Sequence, residues 1–328
     1  MIEDSYGRTI NYLRIAVTDR CNLRCTYCMP AEGLDWLPHK NLMTFEEMFR
    51  CCSLLLKMGV EKIRITGGEP FLRKDLVPFL YRLSEREELK ELTLTTNGLL
   101  TEKFIPDLKK MGIKSVNISL DTLDANRFKQ ITHRDGLDKV LSTMYGLLEN
   151  DIDVKINAVV MEDKNIEDII PLIKLTEKLP IAIRFIEEMP FNGGGHTVSL
   201  KWDFAKILQH IQSHFSGIIK VTDQANSTSY NYKIPGYKGN VGIIAAYTRS
   251  FCGSCNRIRI TPEGVIRTCL YDAGTLNLKN IMRNGSTDEE LKSLIENEIS
   301  KKAKDGWAAQ NILVAQQKQH ESMATIGG

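Results

Sequence analysis

Leu13-Arg14-Ile15-Ala16-Val17-Thr18-Asp19-Arg20-Cys21-Asn22-Leu23-Arg24-Cys25-Thr26-Tyr27-Cys28 reads as a short β-branched strand that runs straight into three cysteines spaced C-x3-C-x2-C. Three thiols on one loop fall one short of the four-ligand shell of structural zinc. A four-iron, four-sulfur cluster held by three thiolates keeps one iron open, which makes a site reactive rather than structural.

The strand that leads into this loop is the first of a series. Leu13–Val17, Lys62–Thr66, Glu91–Thr95, Ser115–Leu120, Val154–Val159 and Ile181–Phe185 are strand-like runs separated by helical patterns. One helix is expected from Thr44 to Met58, with Thr44 and Glu47 at capping-box spacing. Another is expected from Thr101 to Met111, closed by Gly112. Strand–helix alternation implies a parallel sheet with helices outside. Six units point to an α/β fold of the incomplete (β/α)6 triose-phosphate-isomerase-like barrel type rather than a flat nucleotide-binding sheet, although periodicity alone does not establish closure. Polar residues recur in these strands or just past their ends: Arg14, Arg64, Thr95, Asn97, Ser119, Asp121, Lys155, Asn157, Arg184 and Glu187. In parallel α/β architectures ligands collect at the C-terminal strand ends.

The pattern changes after about residue 190. Asn192-Gly193-Gly194-Gly195 punctuates the chain, and a helix is expected from Trp202 to Phe215. Short strands follow, including Val241–Tyr247 and Arg257–Thr261, then a charged helical region from Asp288 to Asp305, and a non-helical end from Ser322 to Gly328. The expected division is a partial barrel over 1–220 and a smaller α+β region over 221–328.

The chain has 328 residues, 43 Lys plus Arg against 41 Asp plus Glu, and a net charge of +2, so it does not look like a nucleic-acid binder. The polar N-terminus lacks a secretory pattern, and no apolar run approaches the roughly 18 residues of a membrane span. A cytoplasmic location is therefore expected, where clustered thiols read as metal ligands or catalysts rather than disulfides. Of the eight cysteines, Cys51 and Cys52 lie in an apolar helical stretch and read as core. Cys252, Cys255 and Cys269 form a second triad, C-x2-C-x13-C, with no histidine nearby to complete a zinc shell. His210 and His214 share a helix face but lack the Glu of a zincin motif, and read as ordinary helix residues. Between the thiols of the second triad, Asn256-Arg257-Ile258-Arg259-Ile260 places two guanidiniums on one strand face, an arrangement suited to a polyanion such as a triphosphate.

The strand after the first helix ends in Thr66-Gly67-Gly68-Glu69-Pro70. Its glycines permit close backbone approach, and Glu69 can accept from an ammonium group. Coupled to C-x3-C-x2-C, this turn resembles the radical S-adenosylmethionine (SAM) superfamily. The resemblance implies a [4Fe-4S] cluster on Cys21, Cys25 and Cys28 whose open iron chelates the methionine moiety of SAM. It also implies a SAM pocket of Tyr27, Gly67, Gly68, Glu69, Asn97, Ser119, Asp121, Asn157 and Met189.

Within that superfamily the chain resembles the GTP 3',8-cyclases of molybdenum cofactor biosynthesis nearly end to end. The resemblance is carried by Gly7-Arg8, Leu13-Arg14, Thr66 to Pro70, Thr95-Thr96-Asn97-Gly98, Ser119-Leu120-Asp121, Cys252-x-x-Cys255-Asn256-Arg257-x-Arg259 and Met323-x-x-Ile326-Gly327-Gly328. It implies a second [4Fe-4S] cluster on Cys252, Cys255 and Cys269 that holds the purine. It implies GTP contacts at Arg14, Arg64, Thr95, Lys155, Arg184, Arg257, Ile258 and Arg259, and a catalytic contribution from Arg257, Arg259, Gly327 and Gly328. A 5'-deoxyadenosyl radical would take the ribose C3' hydrogen, and the carbon radical would attack guanine C8. The implied partners are GTP, an external electron donor and, functionally, the next pathway enzyme, cyclic pyranopterin monophosphate synthase, with monomer and homodimer both open. Glu321 departs from the family, where Arg is frequent. A peptide-modifying radical enzyme or a non-catalytic zinc or iron–sulfur module are the rival readings. The first usually carries more C-terminal cysteines, and the second leaves the polar strand ends unexplained.

Overall fold

The fold is that of a computed structural model, which describes residues 1–193, 200–316 and 321–327. Six βα units come first. Strands β1 (Tyr12–Ala16), β2 (Lys62–Thr66), β3 (Glu91–Thr96), β4 (Ser115–Ser119), β5 (Asp153–Val160) and β6 (Ala182–Glu187) pair in that order, all parallel. The helices between them are α1 (Phe45–Lys57), α2 (Leu76–Ser84), α3 (Ile105–Lys110), α4 (Ala125–Thr132), α5 (Leu137–Glu149) and α6 (Ile169–Lys178). The Thr44–Glu47 capping box is present in full and starts α1 where the sequence places it. Cys51 and Cys52 are buried on that helix, in the core.

Strand pleating sorts the residues between two faces. Leu13, Ile15, Ile63, Ile65, Leu94, Val116, Ile118, Ile156 and Ile183 are fully buried in the main hydrophobic core. Burying each such side chain stabilises the fold by roughly 1.5–3 kcal/mol. The alternate positions, among them Arg14, Arg64, Thr95, Asn117, Lys155, Asn157 and Arg184, face the barrel interior.

The remaining strands extend the same sheet. After α7 (Phe204–His214) come β7 (Ile219–Lys220), β8 (Ser229–Lys233), β9 (Asn240–Ile244), β10 (Arg257–Ile260), β11 (Val265–Arg267) and β12 (Leu276–Asn277). The sheet has twelve strands in the order β12-β11-β10-β1-β2-β3-β4-β5-β6-β9-β8-β7. β10 lies parallel to β1 and β9 parallel to β6, so eight parallel strands form the curved centre. Local periodicity gives six because these last two pair across long sequence separations. Strands from both sides of residue 220 belong to this one sheet. Four helices follow: α8 (Leu278–Arg283), α9 (Asp288–Ser300), α10 (Gly306–Ala315) and α11 (Met323–Ile326). The last corrects the expected non-helical end: Ser322 caps one helical turn by accepting from Ala324 N. Among the described residues no helix is long and apolar enough to cross a membrane.

Candidate active site

A cavity opens at the C-terminal rim of the parallel strands. Cys21, Cys25, Tyr27, Cys28, Gly67, Gly68, Thr95, Asn97, Ser119, Asp121, Asn157 and Met189 all line it, together with Glu187 and Met323. The three thiols influence one another electrostatically, as ligands gathered on one loop must. Burial pushes the Cys21 thiol up to about 11 and the Cys25 and Cys28 thiols up as well, and nearby carboxylates add to the effect.

The Gly67-Gly68 turn lines the cavity and also packs against the cysteine loop. A Cβ at Gly67 would sit 2.7 Å from the Thr18 carbonyl oxygen, and one at Gly68 would strike the Arg20 carbonyl. Gly68 N donates to Thr18 O and Glu69 N to Arg20 O, both at 2.8 Å. The glycines thus let β2 press against the back of the cysteine loop as well as face the cavity. Glu69 does not line the cavity. It is fully buried and accepts from Phe71 N (3.1 Å), Thr96 Oγ1 (2.9 Å) and Asn97 N (2.7 Å). Burial raises its carboxyl to about 7. Its acceptors are taken by the protein, so it ties the ends of β2 and β3 together behind the cavity wall.

Two other carboxylates do face inward. Asp121 accepts from Tyr27 Oη (2.9 Å) and Val159 N (2.8 Å), and burial raises it to about 7. Glu187, at the end of β6, accepts from Phe204 N, Tyr247 N and Thr248 N at 2.8–2.9 Å and gathers three segments around itself. Asn97 Nδ2 donates to Asn22 Oδ1 (2.7 Å) and approaches Cys21 Sγ at 3.7 Å.

Nearer the N-terminal ends of the strands the interior turns basic. Register sets Arg259, Arg14 and Arg64 side by side across β10, β1 and β2, with Arg257, Tyr12 and Lys62 in the row before them. Lys155 lies opposite Asn117, and Arg184 opposite Asn157. Among the described residues none of Arg14, Arg64, Lys155, Arg184, Arg257 and Arg259 forms an ion pair with a carboxylate. Nε of Arg14, Arg184 and Arg257 is buried without a hydrogen-bond partner. Burial and mutual repulsion lower Lys155 to about 8 and Arg184 to about 10. Buried cations with orphaned donors are costly unless an anion joins them. Thr95 joins this group through Arg64 Nη1, 3.3 Å from Thr95 Oγ1. Ile258 does not: it is fully buried in the core on the opposite strand face, which leaves only its backbone to meet a ligand.

Sequence reasoning passed over Tyr12. Its hydroxyl lies 2.5 Å from Arg64 Nε, and Arg14 and Lys62 sit against its ring. Burial pushes the phenol up, but Arg64, Arg14 and Lys62 outweigh that and bring it down to about 7. The alternation Tyr12-Leu13-Arg14 was the signal that places it on the inner face.

The second triad is assembled by the fold. Cys252 and Cys255 lie on the loop before β10, and Cys269 follows β11. Cys255 interacts electrostatically with both other thiols. Burial pushes the Cys255 thiol up, but Arg257 and Lys302 overcome this and hold it at about 6. Asp272 caps the Cys269 turn by accepting from Thr268 N, Thr268 Oγ1 and Cys269 N. Among the described residues no three His, Cys, Asp or Glu side chains close on one point as the shell of a single ion would. Three thiols without a fourth protein donor fit a four-iron cluster, whose own irons and sulfides space the ligands.

The chain's end enters this space. Ser322 Oγ donates to Cys28 O (2.5 Å), Met323 N to Phe191 O (2.8 Å), and Arg259 Nη1 to Gly327 O. Gly327 has φ +80°, and a Cβ there would lie 2.6 Å from Thr66 Oγ1 and 2.8 Å from Ala16 Cβ. Only glycine fits. Gly328 lies outside the described residues, as do Gly194 and Gly195. Glu321 has a partner of its own, Arg267, at 2.5 Å. His210 and His214 stay on exposed α7, where His214 Nδ1 lies 3.0 Å from His210 O.

Residues 15–176 match the family model of the radical SAM superfamily, and residues 181–307 match that of the molybdenum cofactor synthesis C-terminal region. The chain is 42% identical over 305 residues to a GTP 3',8-cyclase of Clostridium perfringens, covering 92% of this chain and 93% of the relative. It is 39% identical over 318 residues to one of Syntrophomonas wolfei, covering 94% and 97%. Molybdenum cofactor biosynthesis protein 1 of Mus musculus is 38% identical over 99% of this chain, which spans about half (51%) of that protein's length. Among solved structures, Streptococcus suis SuiB bound to S-adenosylmethionine shares the fold at a TM-score of 0.61 and 18% identity, over 87% of this chain and 68% of that one.

Proposed function

The chain belongs to the GTP 3',8-cyclase family of the radical SAM superfamily, and from that premise we propose that it converts GTP to (8S)-3',8-cyclo-7,8-dihydroguanosine 5'-triphosphate, the first step of molybdenum cofactor biosynthesis. The observation that carries this reading is the sorting of charge along the barrel interior. The rim holds three thiols with Asp121 and Glu187. Among the described residues the strands below hold six cations that form no ion pair with a carboxylate. SAM brings a sulfonium and an ammonium; GTP brings a triphosphate. Each half of the interior complements one of them.

In this proposal Cys21, Cys25 and Cys28 hold one cluster, and Cys252, Cys255 and Cys269 the other. When bound, the clusters and SAM supply one-electron reduction and a hydrogen-abstracting radical, chemistry that no side chain offers. The side chains bind, orient and exclude water. Tyr27, Gly67, Gly68, Asn97, Ser119, Asp121, Asn157 and Met189 frame SAM, with Glu69 bracing the wall from behind. Arg14, Arg64, Thr95, Lys155, Arg184, Arg257 and Arg259 take the triphosphate, and Ile258 contributes backbone. Arg259 also fixes the tail through Gly327 O, so Gly327 closes the space around the reacting ribose and keeps water from it, and the catalytic contribution of Gly328 rests on the family resemblance alone. Residues 1–220 carry the SAM half; residues 221–328 supply the second triad and the tail. The reaction runs in the cytoplasm with electrons from an external donor, and its product goes to cyclic pyranopterin monophosphate synthase. The scheme holds for a monomer or a homodimer.

The test is an anaerobic assay of the reconstituted chain with GTP, SAM and a reductant. The expected result is 5'-deoxyadenosine and cyclised GTP in equal amounts. Absence of either product rejects the proposal.

A further inference from the structure

Lys302 is a buried cation without a carboxylate. It is 3% exposed. Its ammonium donates to Arg257 O (3.0 Å) and to Thr268 O. Among the described residues no carboxylate oxygen lies within ion-pairing distance of it. Two carbonyl dipoles satisfy hydrogen bonds but bring no formal negative charge, and burying an ammonium without one is costly. Both carbonyls flank the second triad: Thr268 precedes Cys269, and Arg257 follows Cys255 by two residues. The negative partner is thus the triad itself.

We propose that Lys302 is the fixed counter-charge of the second triad, a positioning residue that holds the cluster on Cys252, Cys255 and Cys269 at a higher reduction potential than the thiolates alone would set. The inference rests on the reading that this triad carries a four-iron cluster. Three thiolates leave an oxidised [4Fe-4S] core with one net negative charge, and one electron from a reductant makes it two. A fixed positive charge in a low-dielectric site stabilises the second state more than the first. No bond forms or breaks.

The test uses the reconstituted holoprotein and two substitutions. Lys302→Gln keeps donors for the carbonyls and removes the charge; Lys302→Arg keeps the charge. Redox titration followed by electron paramagnetic resonance reads both clusters, with the SAM-responsive signal of the first as internal reference. In Lys302→Gln the ratio of reduced to oxidised second cluster at a fixed potential should fall about tenfold, equivalent to about 59 mV for one electron. Lys302→Arg and the first cluster should stay within about twofold of the parent. An unchanged potential in Lys302→Gln, or an equal shift in both variants, overturns the proposal. Loss of the second cluster in Lys302→Gln alone supports it; loss in both variants overturns it, because shape and not charge then governs assembly. If the parent chain assembles only the SAM-responsive cluster, the cluster reading itself fails and the inference falls with it.

Discussion

The two cysteine triads share a ligand type but differ at one thiol: burial raises Cys21, Cys25, Cys28, Cys252 and Cys269, whereas Cys255 alone is lowered. Cys21, Cys25 and Cys28 sit on one loop; Asp121 raises Cys25 and Cys28 further, Glu69 does the same to Cys21, and burial pushes all three thiols up. Cys255 lies among Arg257 and Lys302, which hold it at about 6 against the effect of burial. The first environment suits a cation beside the cluster, the second an anion. The tail, tied to Cys28 O at one end and to Arg259 at the other, reaches from the first triad to the basic strands.

The largest effect should come from removing a ligand from either triad. Cys25→Ala and Cys269→Ala should each lower bound iron from about eight to about four per chain. Cys25→Ala should abolish 5'-deoxyadenosine formation, whereas Cys269→Ala should keep SAM binding and lose cyclised GTP. Equal loss of both clusters in either variant would break the comparison. Next come the cations. Arg257→Ala should weaken GTP binding about ten- to a hundredfold, the worth of a charge-assisted hydrogen bond, while bound iron stays unchanged.

Acidity should separate the halves by sign. As pH rises from 6 to 9, Tyr12 (about 7) gains negative charge and Lys155 (about 8) loses its positive charge, so GTP affinity falls. Over pH 6 to 8, Asp121 (about 7) ionises, so SAM affinity rises. Calorimetric titration of both ligands across this range checks it; parallel trends would contradict the sorting. The smallest effect is expected at Glu321. Its carboxylate is half exposed, with Arg267 buried behind it, and neither residue is among the proposed SAM or GTP contacts. Glu321→Ala should change GTP turnover less than about fivefold.

The sequence was most informative where the chemistry is local. C-x3-C-x2-C, the Gly67-Gly68 turn and the six strand–helix units all lie in contiguous stretches, and the strand ends match within a residue or two. What escaped it depends on distant pairing. β9 and β10 join the sheet beside β6 and β1, and only that pairing brings Arg257 and Arg259 beside Tyr12 and Arg14. Lys302 carries no motif at all; its position matters because α9 delivers it beneath the second triad. Ile258 and Glu69 show the converse limit. A motif can mark a residue correctly while leaving open whether its side chain faces the ligand or holds the wall behind it.

The most direct test pairs one substitution from each half with both ligands: Arg14→Ala and Asp121→Asn in reconstituted protein, each titrated with GTP and with SAM. The account predicts that Arg14→Ala weakens GTP about tenfold or more and leaves SAM within about twofold, and that Asp121→Asn does the reverse. Loss of both ligands to the same extent in both variants would contradict a charge-sorted barrel.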